Sequence, residues 1–162
     1  MSPRGEAVRT DVSGFRTAGP ADASAVRALT REAYAAWVPV IGREPMPMTA
    51  DYAQALRAHR IELLERGGAL AGLIELVSHP GHLMIENVAV GSRYRGQGLG
   101  RLLMTRAEDL APAMGHRRIR LYTHAKMRAN VAIYTRLGYR ETHRVVEAGF
   151  DRIYMLKDLA QN

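Results

Sequence analysis

Residues 88–101 read Val-Ala-Val-Gly-Ser-Arg-Tyr-Arg-Gly-Gln-Gly-Leu-Gly-Arg, an apolar run that opens into three alternate glycines, Gly96, Gly98 and Gly100. Glycine has no Cβ, so successive backbone N–H groups can converge on one anion. An amphipathic stretch follows at once, and a helix start adds unpaired donors and roughly half a positive charge. Arg93, Arg95 and Arg101 bring guanidinium forks to the same place. This chemistry suits a pyrophosphate. Spacing excludes two familiar phosphate loops. A P-loop needs Lys and a hydroxyl after its last glycine, but Arg101 and Leu102 follow Gly100. A dinucleotide fingerprint needs a third glycine where Arg101 or Leu103 stands. Glycines also let a strand and a helix pack closely; the arginines and the helix start favour the phosphate.

The elements that must position this segment alternate between strand and helix. Ser13 to Ala18 reads as a strand, and Gly19-Pro20 as a turn. Ala25, Val26, Leu29, Ala33, Tyr34 and Trp37 recur at helical spacing, predicting a helix from Ala21 to Trp37. Pro39, Pro45 and Pro47 break any helix between Val38 and Thr49, and Asp51 to His59 is a second helix capped by Thr49. Arg60 to Arg66 and Ala69 to Ser78 form a hairpin across Gly67-Gly68. His82 to Val90 is a strand, and Leu99, Leu102, Leu103, Leu110 and Met114 stripe a helix from Gly98 to Met114. Arg117 to Thr123 alternates as a strand, Arg128 to Leu137 is a short helix, and Tyr139 to Val146 pairs with Phe150 to Leu156 across Glu147-Ala148-Gly149. There is no repeat and no interior linker. Residues 1–12 read as a flexible tail and 13–162 as one α+β domain with a mixed sheet.

Composition narrows the class. The chain has 162 residues, 47% hydrophobic and 24% charged, which excludes disordered and low-complexity classes. No cysteine is present, so there is no disulfide, thiolate metal site or cysteine nucleophile. The polar start is no secretory signal and no stretch is apolar enough to span a membrane, so a soluble, cytoplasmic protein is expected. The formal charge is +7, yet only Lys126 and Lys157 are lysines and the arginines spread along the chain. Such a surface suits a polyanion or is simply solvated. No His/Asp/Glu spacing suggests a metal.

Arg95-x-x-Gly98-x-Gly100, after a strand ending Asn87-Val88-Ala89-Val90, resembles the acetyl-coenzyme A signature of the GCN5-related N-acetyltransferases (GNAT). Asn130-x-x-x-Tyr134-x-x-Leu137-Gly138-Tyr139 resembles the family's second segment, with Tyr in place of its usual Phe. The resemblance covers about residues 83–145. It implies α/β/α layers: a central mixed, mostly antiparallel sheet of six to seven strands flanked by about four helices. It also implies acetyl transfer from acetyl-coenzyme A to the primary amine of a small molecule or peptide, by direct attack, with no metal.

Carried over residue by residue, the resemblance has Gly96, Gln97, Gly98, Leu99, Gly100 and Arg101, with Arg95, hold the pyrophosphate. The main chain of Val88, Ala89 and Val90 then pairs with the pantetheine arm. Asn130 and Tyr134, four apart, share one helical face. Asn130 bonds the cofactor arm and Tyr134 supplies a proton to the departing thiolate; the alternative for Tyr134 is a half-buried core ring. Glu86 is the candidate base. It sits in an apolar run where burial would raise its carboxyl, and alternation puts it on one face with Val88 and Val90; an ion pair with an arginine is the other reading. His124 is a base or a substrate contact, while His59, His79, His82, His116 and His143 read as surface residues. Tyr34, Arg43 and the Pro45-Met46-Pro47-Met48 run are expected to wall the acceptor, with Trp37 anchoring its helix to the sheet; the same anchoring is the alternative for Tyr34. A coenzyme A-binding module without turnover, or a basic nucleic-acid binder, is the competing class. No recognition helix or aromatic-interleaved basic stripe supports the latter. Phe150 to Leu159 offers apolar residues to a second copy, so a homodimer is possible.

Overall fold

The computed structural model describes residues 14–160; the expected tail at 1–12 lies outside them. The strands are β1 (Gly14–Thr17), β2 (Arg60–Arg66), β3 (Ala69–His79), β4 (His82–Val90), β5 (Arg118–His124), β6 (Arg140–Glu147) and β7 (Phe150–Asp158). The helices are α1 (Ala23–Tyr34), α2 (Val38–Ile41), α3 (Met46–Thr49), α4 (Tyr52–Ala58), α5 (Leu99–Leu110) and α6 (Arg128–Arg136). The strands form one sheet in the order β1-β2-β3-β4-β5-β7-β6, antiparallel except where β4 meets β5.

The parallel contact is short: Leu83, Met84 and Ile85 pair with Ile119, Arg120 and Leu121, and there it ends. β5 continues along β7 as far as His124 opposite Arg152. β4 keeps only β3. On that side Asn87 faces Glu75 and Ile85 faces Leu76, so Glu86 is an unpaired bulge residue. The bulge changes parity. Leu83 and Ile85, then Val88 and Val90, face the α5 core, whereas Glu86 and Asn87 turn to the opposite face. Glu86 therefore does not share a face with Val88 and Val90, contrary to simple alternation.

Two layers of helices cover the sheet. Val26 and Leu29 of α1, with Tyr52 and Ala55 of α4, bury against Ile61, Leu63, Leu73 and Ala89. On the other face Leu99, Leu103, Met104 and Ala107 of α5 bury against Ile74, Leu76, Ile85, Ile119 and Leu121. Each fully buried Leu or Ile contributes roughly 1.5–3 kcal/mol. α5 lies so close that a Cβ on Gly72 would stand 3.1 Å from Leu103 Cδ1 and 3.2 Å from Ala89 O. Buried Asn87 donates to Thr30 Oγ1 at 3.0 Å and to the Tyr52 hydroxyl at 3.2 Å, tying β4 to α1 and α4.

Several expected boundaries move. The helix predicted from Ala21 to Trp37 is α1 flanked by single 3₁₀ turns at Pro20–Asp22 and Ala35–Trp37. The prolines start one-turn helices rather than abolish helix: Pro39 and Pro47 occupy first-turn positions whose N–H has no intrahelical partner, and Pro45 stands just before α3 in extended geometry. α4 is capped by Asp51, whose Oδ1 accepts from Gln54 N–H at 3.1 Å, while the Thr49 hydroxyl donates to Met46 O. Leu102 leaves the core stripe and is exposed, its place taken by Met104 and Ala107. Trp37, in the 3₁₀ turn after α1, packs with Ile41, Met127 and Phe150 at the start of β7. Ile153 and Met155 of β7 are spent in the chain's own core.

A buried ion pair fixes α5 to the sheet's far side. Glu62 of β2 is fully buried; its Oε1 accepts from Arg106 Nε at 3.0 Å and Nη2 at 2.7 Å, and its Oε2 from the Thr17 hydroxyl at 2.6 Å. Arg106→Met would leave that carboxylate without its main partner. The expected cost is about 3 kcal/mol, read by thermal melting as a fall in Tm of roughly 6–12 °C. An unchanged Tm would show that Arg60, whose Nη2 stands 3.6 Å from Glu62 Oε1, balances the carboxylate alone.

Candidate active site

The glycine segment forms a turn that leaves β4 and opens into α5. Gly96 and Gly98 have φ of +76° and +77°, the left-handed region where side chains are strained, and Gly98 is the residue just before the helix. The first turn closes with Leu102 N–H on Gly98 O at 3.2 Å, so the donors before it lie at the open helix start. No atom stands within 4 Å of where a Cβ would sit on Gly96, Gly98 or Gly100. Among the described residues Arg93, Arg95 and Arg101 make no ion pair. Open space, free donors and unpaired arginines together fit a pyrophosphate. α1 braces the entrance, with Glu32 accepting from Ser92 N–H at 2.9 Å.

The split between β4 and β5 is walled into two joined chambers. The first is lined by Val88, Val90, Arg95, Gly100, Trp37 and Met104. The second, narrower one is lined by Glu86, Tyr122, Thr123, His124, Phe150 and Arg152, with Ile41, Pro45, Met46 and Pro47 opposite. Tyr34, Met127, Asn130 and Tyr134 line both. α6 sets Asn130 and Tyr134 one turn apart, and Tyr139 holds Tyr134 from behind. Its N–H donates to Tyr134 O at 3.0 Å and its ring meets Tyr134 edge-on at 6.2 Å.

Desolvation controls the titration of this cleft. It pushes the Tyr134 hydroxyl up to about 12, so that group stays protonated through the physiological range. Burial, then the neighbouring Tyr134, Tyr52 and Tyr122, hold Tyr34 well above its usual value, and its hydroxyl donates to Val88 O at 3.3 Å. Burial and then the Glu86 charge raise Tyr122, whose hydroxyl donates to Glu86 Oε2 at 3.2 Å. Desolvation lowers His124, against the pull of Asp151. Its Nδ1 accepts from Lys126 N–H at 3.1 Å, which places the neutral ring's proton on Nε2.

Of the residues singled out in the sequence, Tyr34, Glu86, Val88, Val90, Arg95, Gly100, His124, Asn130 and Tyr134 converge on these chambers. Others do not. Ala89 is buried under α1, the Leu99 side chain is in the α5 core, and Gln97 and Arg101 are exposed outside the lining. Arg43 sits at the rim, its guanidinium 4.1 Å from the Phe150 ring and its Nη1 donating to Ala148 O at 3.1 Å. His116 is not a surface residue but is buried on Ser78 at 2.5 Å, and His59, half-buried, pairs with Glu75 at 2.7 Å. Sequence reasoning missed Tyr122 and Arg152, whose guanidinium lies 4.4 Å from the Tyr122 ring. The alternation Arg120, Tyr122, His124 along β5 was the available signal.

Residues 26–139, which carry the cradle, β5 and α6, match the family described as Acetyltransferase (GNAT). The chain belongs to the GNAT acetyltransferase family. Over 70 residues it is 39% identical to N-alpha-acetyltransferase 80 of Mus musculus, a stretch covering 43% of this chain but only 21% of that protein. Among solved structures, the ribosomal-protein-S18-alanine N-acetyltransferase of Escherichia coli superposes with a TM-score of 0.75 at 20% identity, covering 93% of this chain and 96% of that one. An IAA acetyltransferase from Bacillus cereus gives 0.71 at 18%, covering 91% and 100%. A Salmonella typhimurium acetyltransferase solved with its cofactor acetyl-CoA gives 0.69 at 20%, covering 93% and 96%. The shared fold accounts for the seven-stranded, mostly antiparallel GNAT sheet. Among the described residues no helix is long and apolar enough to cross a membrane, and no group of His, Cys, Asp or Glu is placed to hold a metal.

The His124 geometry is checkable by nitrogen-15 NMR. The ring should titrate below the ordinary 6.5 and carry its neutral proton on Nε2. A midpoint above 6.5, or an Nδ1-protonated ring, would contradict the arrangement.

Proposed function

We propose that this GNAT protein moves an acetyl group from acetyl-CoA to a primary amine of a small molecule or peptide, by direct attack in a ternary complex. The carrying observation is the split sheet, which joins an anion cradle to a cleft holding a carboxylate, Glu86, and a protonated phenol, Tyr134. Acetyl-CoA, when bound, supplies the thioester and its thiolate leaving group.

The chain's own groups do the rest. Backbone donors from Gly96 to Arg101, with Arg95, would hold the pyrophosphate. The main chain of Val88 and Val90, which has no strand partner on the β5 side, would pair with the amide-bearing arm as an added strand. An alkylammonium with pKa near 10 must lose a proton before it attacks. Glu86 takes that proton, oriented by the Tyr122 hydroxyl on Oε2. Tyr134 gives its proton to the sulfur as the carbon–sulfur bond breaks. His124, with Nδ1 engaged, presents an N–H and contacts the acceptor rather than deprotonating it. Tyr34 and the rim residue Arg43 complete the acceptor wall. The amine-directed names of the mouse and Escherichia coli relatives support this acceptor class.

Binding and turnover are separable. Saturating acetyl-CoA at about 100 times its Kd adds about 2.7 kcal/mol, roughly 5–10 °C in Tm, while ATP and NAD should add nothing. Gly100 has ordinary helical geometry and open space beyond it, so Gly100→Leu should keep the fold and lose that shift. A retained shift removes the cradle assignment. Tyr134→Phe should lower kcat at least about tenfold with the acetyl-CoA shift preserved; full turnover would remove Tyr134 as the acid.

A further inference from the structure

Beside the reaction cleft lies a third, open-sided chamber of about 380 Å³, sharing Met46, Pro47, Glu86 and Tyr122 with it. Its far wall comes from β3 and α4. It carries Glu75, Asp51 and His59, and no Lys or Arg lines it, although the chain has a net charge of +7. Asp51 spends an oxygen on capping α4. Glu75 does not spend both of its own. Its side chain is 7% exposed, Oε2 is bonded to His59 Nδ1 at 2.7 Å, and Oε1 has no hydrogen-bond partner among the described residues.

The other deeply buried carboxylate shows what this chain does when a charge is structural. Glu62 receives two bonds from Arg106 and one from Thr17, and both oxygens are satisfied. Glu75 has a histidine on one side and an open chamber on the other. Burial raises its carboxyl, His59 pulls it back, and the Glu86 charge raises it further. Tyr52, which feels the Glu75 charge, and Tyr122, which lines the same chamber, are both phenols held up by burial. A cation entering the chamber would relieve the desolvation and the like-charge penalty together.

The geometry points to Glu75 as a specificity-determining residue that receives a second cationic group of the acceptor, so that the preferred acceptors are diamines rather than monoamines. This rests on the acetyl-transfer reading above. One amine is deprotonated at Glu86 and attacks. The other stays an ammonium on Glu75, positioned by His59, and undergoes no bond change.

The test compares 1,5-diaminopentane with pentylamine, which differ only in the second amine. The wild-type chain should favour the diamine by at least about tenfold in kcat/KM, the worth of one charged hydrogen bond. Glu75→Gln should erase that preference through a higher KM for the diamine, and Glu75→Asp should restore part of it. Equal use of the two amines by the wild type, or equal loss for both in Glu75→Gln, overturns the assignment and leaves Glu75 a strap between β3 and His59. Calorimetry of 1,5-diaminopentane on each form keeps the two readings apart. Diamine binding that depends on Glu75 without any acetyl transfer would sink the reaction and leave the cation site standing. Equal diamine binding to wild type and Glu75→Gln would sink the cation site alone.

Discussion

Everything chemical in this molecule follows from a pairing that stops. β4 and β5 hold together over three residues and then part, because β5 follows β7 while β4 follows β3 through the bulge at Glu86. A sheet that stayed zipped would have no interior opening. One that never paired would lose the continuous core formed by Leu83, Ile85, Ile119 and Leu121 beneath α5. The partial pairing keeps the core and leaves unpaired strand edge where a ligand's amides can add on.

The opening is stabilised from outside. α5 cannot slide, since Gly72 lets Leu103 sit almost on the β3 backbone and Arg106 is locked onto buried Glu62. The cradle at the start of α5 is thereby held against the end of β4. On the other face Asn87 ties β4 to α1 and α4, so the helix carrying Tyr34 is registered to the same strand. Charge is sorted as well: unpaired arginines gather at the cradle, and carboxylates without arginines gather past Glu86.

The parts legible in the sequence were those whose meaning is local. Gly96, Gly98 and Gly100 stand beside the arginines and the helix that give them a use, and Asn130 and Tyr134 need only a helical turn to meet. The succession of strands along the chain and the hairpins at Gly67-Gly68 and Ala148-Gly149 were likewise written in short-range signals. The bulge was not, because it exists only relative to β3, and it reversed the face assigned to Glu86. Glu75 and His59 lie 16 residues apart and meet only once β2 and β3 are paired. Tyr122 matters because a parallel neighbour brings Glu86 to it, which no spacing within β5 announces. At α4 the expected cap, Thr49, turns its hydroxyl back to Met46 O, and Asp51, two residues on, caps the helix instead.

Tyr34 belongs to both chambers of the split and holds the Val88 carbonyl between them. Its ring is a common boundary, so a ligand that moves it on one side changes the volume and the hydrogen bonding offered on the other. Thermodynamic linkage makes that influence reciprocal. The two substrates of this fold are therefore not independent variables in selection. A change at Tyr34 that admits a bulkier acceptor therefore also reaches the donor's side of the boundary, and drift in acceptor range leaves a trace in donor affinity.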